Sequence, residues 1–243
     1  MTIKRILLCC SLTTTLFAAT ASGEPDDSGT GQWFVGVTAS IADVTIENIS
    51  ANIGTGVVIG GERDGQIEDT EVDDYTAGFG FSVGQRFGYW QLATQYIYRY
   101  RTDWDVVAAT PAIQTITNVF TNVETHTLLI NAARRGPITQ HWSWELGAGI
   151  GYVHHRMDSE YIEREVPGVS GEQVFKDQRR NGGFSYNVFA GVTREFGRDW
   201  TLNLRTSYID MAELKAGSFP ERPVRLSADQ HAVELQFSIE RNL

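Results

Sequence analysis

His141 and Ser143 stand two residues apart in "QHWSWE". A His beside a Ser is the smallest set that could run acyl transfer, the imidazole taking the hydroxyl proton as the oxygen attacks a carbonyl. His126, His154 and His155 offer imidazoles to a metal. Adjacent residues of a strand point to opposite faces, so His154 and His155 cannot hold one ion while the strand continues, and surface histidines are expected. The run "GERDGQIEDTEVDD" carries Glu62, Asp64, Glu68, Asp69, Glu71, Asp73 and Asp74. Its spacing does not match a calcium loop, so it reads as a solvated acidic loop. "GTGVVIGG" is rich in glycine but is followed by no helix and no Gly-Lys-Ser/Thr, which argues against a phosphate cradle. No catalytic residue, metal ligand or cofactor is expected from these sets.

A larger set of charges alternates with aromatic residues. In "WQLATQYIYRYRTDWD", Trp90, Leu92, Thr94, Tyr96, Tyr98, Tyr100, Thr102 and Trp104 fall on one parity; Gln91, Gln95, Arg99, Arg101, Asp103 and Asp105 fall on the other. A period of two is the signature of a strand with two unlike faces. Eight such segments are expected, at 32–44, 74–87, 89–105, 119–134, 141–157, 183–196, 200–211 and 230–243. None of them reads as a helix of useful length.

The connections alternate. Those around Gly88, Pro137 and Arg198 are short, while 45–73, 106–118, 158–182 and 212–229 are long and polar. In an antiparallel meander, alternate connections lie at opposite ends, which gathers the short turns at one end and the long loops at the other. Membrane barrels show that asymmetry. Trp33, Trp90, Trp142, Trp144 and Trp200 lie near the short-turn end, and Tyr98, Tyr100 and Trp104 near the other. Such sorting suits rings placed at the two interfaces of a bilayer. The expected fold is all-β: an eight-stranded antiparallel up-and-down transmembrane β-barrel.

The start of the chain reads as a secretory signal peptide, with Lys4 and Arg5, an interrupted apolar run from Ile6 to Ala19, and small residues before a cleavage point after Ala21. Residues 1–21 are then the signal peptide, 22–31 a short periplasmic lead and 32–243 the barrel. Cys9 and Cys10 both fall in the signal peptide, so no disulfide is expected in the mature chain. Losing Lys4 and Arg5 takes the formal charge from −10 to −12, which disfavours nucleic-acid binding. No later segment approaches the roughly 20 apolar residues of a spanning helix.

The face opposite the aromatics is small and polar. It holds Thr76, Gly78, Gly80, Ser82, Gly84 and Arg86 on one segment, and Glu234, Gln236, Ser238 and Glu240 on the last. A solvated sheet face would avoid so much glycine, whereas a narrow lumen where opposite walls meet suits it. An eight-stranded barrel is just wide enough for its side chains to fill. Arg86, Arg99, Arg101, Glu145, Arg205, Glu234 and Glu240 are therefore expected to share a closed interior, where unpaired charge costs several kcal/mol. Arg205 with Glu234 is the expected pair. A polar plug that fixes the barrel is favoured over a gated ion path.

The sequence resembles the small outer-membrane β-barrel proteins of the opacity-porin and outer-membrane-protein-A transmembrane type. The likeness lies in "GQWFVGVTAS", "GFGFSVGQRFG", "WSWELGAGIGYV", "FAGVTREFGRDWTLNLRTSYID" and "HAVELQFSIERNL". The closing segment looks like the signal read by the barrel-assembly machinery, except that Leu243 stands where Phe is usual. No residue follows Leu243, so the peptidoglycan-binding domain of some relatives is not expected. The resemblance implies an outer-membrane barrel with both termini in the periplasm, in contact with outer-membrane lipid and lipopolysaccharide. A structural or surface-interaction role follows, with the extracellular loops meeting an unknown ligand. The alternative is a narrow passive porin-like channel. A lipid A-modifying enzyme is less favoured: His141 and Ser143 match the deacylase pair in spacing, but they lie beside a short turn, away from the outer leaflet.

Overall fold

A computed structural model of the protein describes residues 31–52, 58–60, 71–110, 115–165, 173–197, 199–216 and 225–243. The expected signal peptide, the lead up to residue 30 and most of the acidic run lie outside these residues. Eight long strands form the wall: β1 (Gln32–Asn52), β3 (Val72–Phe87), β4 (Trp90–Thr110), β5 (Thr115–Pro137), β6 (Trp142–Glu165), β7 (Gln173–Phe196), β8 (Trp200–Ala216) and β9 (Arg225–Asn242). The short strand β2 (Val58–Gly60) pairs on the end of β1. Every neighbouring pair is antiparallel, and β1 also pairs β9, so the sheet closes into a ring. Gly88 and Gly197, both left-handed, make the tight turns after β3 and β7.

The outward face carries an apolar belt. It runs from Trp33 to Ile41 on β1, Trp90 to Tyr100 on β4, Trp144 to Tyr152 on β6 and Trp200 to Tyr208 on β8. Each stretch matches the about 9–11 residues that a tilted strand needs to cross a bilayer. Phe79, Phe81, Ile130, Ile150, Val188, Leu235 and Phe237 are all exposed within it. Water would strongly disfavour so much contiguous apolar surface, whereas lipid does not.

The strands do not stop at the top of the belt. Segments 106–118 and 158–182, expected as loops, are mostly strand: β4 reaches Thr110, β5 begins at Thr115, β6 continues to Glu165 and β7 starts at Gln173. On β5 the extension from Val123 back to Thr115 is roughly 30 Å of strand at about 3.3 Å per residue. Its interior differs from that of the belt. Val44, Ile46, Ile49, Trp104, Val106, Val119, Val123, Met157, Met211 and Leu214 pack there into a buried apolar core.

Two ladders end where this core begins. The β3–β4 register stops at Gly78 with Arg99, and the β7–β8 register at Tyr186 with Asp210. Beyond those points β4–β5–β6–β7 form one leaf and β8–β9–β1–β3 the other. Side chains bridge both seams: Asp74 accepts from the Asp103 N–H at 2.9 Å, and Asn181 donates to the Glu213 carbonyl at 2.7 Å.

Candidate functional site

Pleat and register place the interior charges. Glu145 on β6 and Arg205 on β8 both stand opposite Gly191 of β7. Since Gly191 has no side chain, Arg205 reaches over it and meets Glu145 at 2.7 Å. Arg135, directly across from Glu145 on β5, holds the other carboxylate oxygen at 2.7 Å. Arg135 also lies 3.5 Å from Glu240, which pairs with Arg86. Three guanidiniums and two carboxylates thus alternate at the short-turn end of the lumen. Arg86 lies over the Phe34 ring and Arg205 over Phe189, each a cation–π contact that also fills space.

A second pair sits higher. Arg99 on β4 stands opposite Gly78, again a residue without a side chain, and reaches Glu234 on β9 at 2.8 Å. Arg99 also donates to Thr127 at 2.7 Å, and Glu234 accepts from Gln236 at 2.9 Å. Arg99 and Glu234 are 1% and 0% exposed, so each leans on the other for its solvation. Between the two groups Gln95 accepts from Asn131 at 3.0 Å. The cavity left among Ser82, Gln91, Gln95, Asn131, Arg205 and Glu240 is about 10 Å³. That is room for about one water.

Arg86, Arg99, Glu145, Arg205, Glu234 and Glu240 therefore lie inside, but three expectations need correction. Arg205 does not pair with Glu234. The β8–β9 register sets Arg205 against Gln236, one layer away from Glu234, while Gly191 opens the way to Glu145. Arg101 is not in the lumen, and Trp104 is not an interface aromatic. A bulge between Arg99 and Thr102 turns Tyr100 and Arg101 both outward and reverses the parity of the rest of β4. Arg101 is consequently 62% exposed, 3.6 Å from Glu124, and Trp104 is fully buried in the apolar core. Two Asp residues at 103 and 105 would otherwise have faced that core, and this conflict is the signal in the sequence that could have revealed the bulge.

Trp33, Trp90, Trp142 and Trp200 are exposed at the short-turn end of the belt, with Trp144 half-buried beside them. Arg194 stacks on Trp142 and Arg241 on Trp200. Tyr98 and Tyr100 face outward at the long-loop end, their rings 5.2 Å apart. The sequence reading missed Arg135, which joins the two halves of the lower network. It also missed His155, expected on the surface but fully buried, where it bonds Thr125 at 3.1 Å and the Met211 carbonyl at 2.7 Å. His154 faces the other way, beside His126. His141 is exposed in the turn before β6 and Ser143 is half-buried at its start. No cluster of His, Cys, Asp and Glu able to hold a metal occurs among the described residues.

A closed ring of eight antiparallel strands, an apolar exterior one bilayer tall and a polar filled lumen decide the architecture. The chain has the fold of a small outer-membrane β-barrel. Solved structures to which it is similar include Neisserial surface protein A, at 11% identity and a TM-score of 0.44 over 85% of this chain and 96% of that one. OprG from Pseudomonas aeruginosa is similar at 10% identity and 0.48, over 88% and 98%. AlkL, solved in lipid bilayers, is similar at 15% identity and 0.46, over 93% and 94%. No protein-family model matches the sequence, and no curated protein matches it.

Proposed function

We propose that this chain is an outer-membrane protein with a structural and surface-interaction role, its barrel an anchor and its long-loop end a platform presented to the cell exterior. The observation that carries the reading is the filled lumen: the lower charge network leaves a cavity of about 10 Å³, and an apolar core lies above it. A path for ions would need a continuous wet column, and both layers oppose one. The belt sets the depth, the short turns face the periplasm, and the barrel-assembly machinery inserts the chain through its last strand. The loops, and the strands that stand clear of the belt, meet an extracellular ligand. The chain carries no reaction in this reading, because His141 and Ser143 lie at the short-turn end, away from the outer leaflet.

The rival reading is a narrow passive channel. Planar-bilayer recordings of the refolded protein separate the two. The anchor predicts no stable unitary conductance; a conductance that disappears in Arg99→Ala or Arg205→Ala would replace it with the channel.

A further inference from the structure

Outside the lumen, one patch sets cationic groups directly above aromatic ones. Cross-strand neighbours Tyr98, His126 and His154 on β4, β5 and β6 line a groove of about 580 Å³, together with Phe79 and Tyr96. Tyr96 and His126 are hydrogen-bonded at 2.7 Å, which fixes the floor. The rim on the long-loop side is Glu124, Arg156 and Arg180, successive neighbours across β5, β6 and β7. The groove thus begins on the apolar belt and ends in charge just above it.

The charges at the rim do not balance. Glu124 lies between Arg101 at 3.6 Å and Arg156 at 3.9 Å, both loose contacts with exposed guanidiniums. Arg180 stands directly opposite Arg156 in the ladder, and among the described residues it has no carboxylate within ion-pair distance. Like charges directly opposite each other on neighbouring strands are destabilising. Arg156 and Arg180 thus share a single carboxylate, Glu124, with Arg101; Asp158, two residues along β6 on the same face, pairs with neither of them among the described residues, which leaves an excess of unpaired cation at this point of the rim. A group carrying phosphate would relieve the excess, since the guanidinium fork matches phosphate oxygens in pairs. The floor below the rim faces hydrocarbon, so the group that brings the phosphate should also bring acyl chains.

We propose that this groove binds the phosphorylated headgroup of an outer-leaflet lipid. Arg156 and Arg180 fork the phosphate, Arg101 flanks it, and the acyl chains lie along Phe79, Tyr96 and Tyr98. Glu124 opposes the anion. The inference rests on the outer-membrane placement proposed above, but lipid retention and conductance are separate measurements, so either reading can fail alone.

The test is retention of lipid by the protein refolded into phosphatidylcholine nanodiscs doped with diphosphoryl lipid A or with its dephosphorylated form, counted by native mass spectrometry. The wild type should retain the diphosphoryl form at least about ten-fold better, the order expected from charge-assisted bonds to phosphate. The double variant Arg156→Gln/Arg180→Gln should lose that preference, and Glu124→Gln should strengthen it. The variant Arg134→Gln/Arg194→Gln, changed at the short-turn end, should keep it. Equal retention of the two lipids by the wild type would overturn the proposal, as would an unchanged preference in Arg156→Gln/Arg180→Gln. An equal loss in the short-turn variant would reduce the effect to general charge and overturn it too. Should the double variant fail to fold, Glu124→Gln decides: no gain in retention means no site.

Discussion

Between the short turns and the Arg99 layer, the strands turn Gly, Ser, Thr, Gln, Arg and Glu inward and Val, Leu, Ile and Phe outward. Between that layer and the long loops the same strands do the reverse, with Ile46, Trp104, Val119, Val123 and Met157 inside and Asn122, Glu124, Asp158 and Lys176 outside. The difference follows the solvent. Lipid lets apolar groups face out and leaves the lumen to polar groups that must satisfy one another, whereas water restores the ordinary arrangement. The chain makes the change by two routes. On β4 a bulge between Arg99 and Thr102 shifts which parity faces in at the change itself, whereas on β8 Ile209 and Met211 turn the interior apolar on the old parity before a bulge between Asp210 and Glu213 shifts it. On β5 and β6 the register runs unbroken, so the residue types change while the parity stays.

The strongest way to break the comparison is to remove a shared carboxylate from the membrane half. Glu145→Ala should destabilise the barrel by about 3–5 kcal/mol, because Arg135 and Arg205 would be left buried without their partner. Urea unfolding in detergent, followed by the heat-induced shift on a denaturing gel, reads it. A change below about 1 kcal/mol would mean that water reaches the network and that the lumen is not a core. In the other half, Trp104→Ala removes the largest buried side chain of the apolar core and should cost about 3 kcal/mol or more. The loss should be local: limited proteolysis should open the long-loop end while the heat shift of the membrane half persists.

The ring, the antiparallel order and the exterior were legible in the sequence because a lipid-facing wall repeats one simple alternation from Trp33 to Phe237. The upper half was not. There the pattern inverts, Asn, Thr and acidic residues face water, and 106–118 and 158–182 read as loops although β4 to β7 continue through most of them. The bulge at Arg99 hid inside an unbroken run of apparent period two, and it alone misplaced Arg101 and Trp104. The lower charges read as interior, but their pairing depends on which strand offers a glycine between two long side chains. Gly191 and Gly78 set those partners, and only the register shows which residues they face.

A charge placed on the outside should distinguish the halves directly. Leu204→Arg, in the middle of the belt, should lower stability by about 2–4 kcal/mol in lipid vesicles, the usual effect of Arg near the bilayer midplane. Phe120→Arg is also outward and exposed but lies on the part of β5 above the belt, and it should change stability by less than about 0.5 kcal/mol. Equal losses at the two positions would move the upper membrane boundary past Phe120 and erase the division.

The smallest effect belongs to the arginine that the bulge moved outside. Arg101 is 62% exposed and meets Glu124 at 3.6 Å, whereas Arg99, two residues earlier, is 1% exposed and meets Glu234 at 2.8 Å. Arg101→Ala should therefore change stability by at most about 1 kcal/mol, and less as salt is raised, as exposed pairs do. Arg99→Met alone strands Glu234 and should cost several times more, while Arg99→Met/Glu234→Leu should recover most of the loss, because a buried pair is replaceable by apolar groups that fill its volume. Comparing Arg101→Ala with Arg99→Met by urea midpoint in one detergent tests the bulge itself. Losses of similar size would mean that both arginines face the lumen, that β4 keeps one parity throughout, and that Trp104 belongs back at the membrane interface.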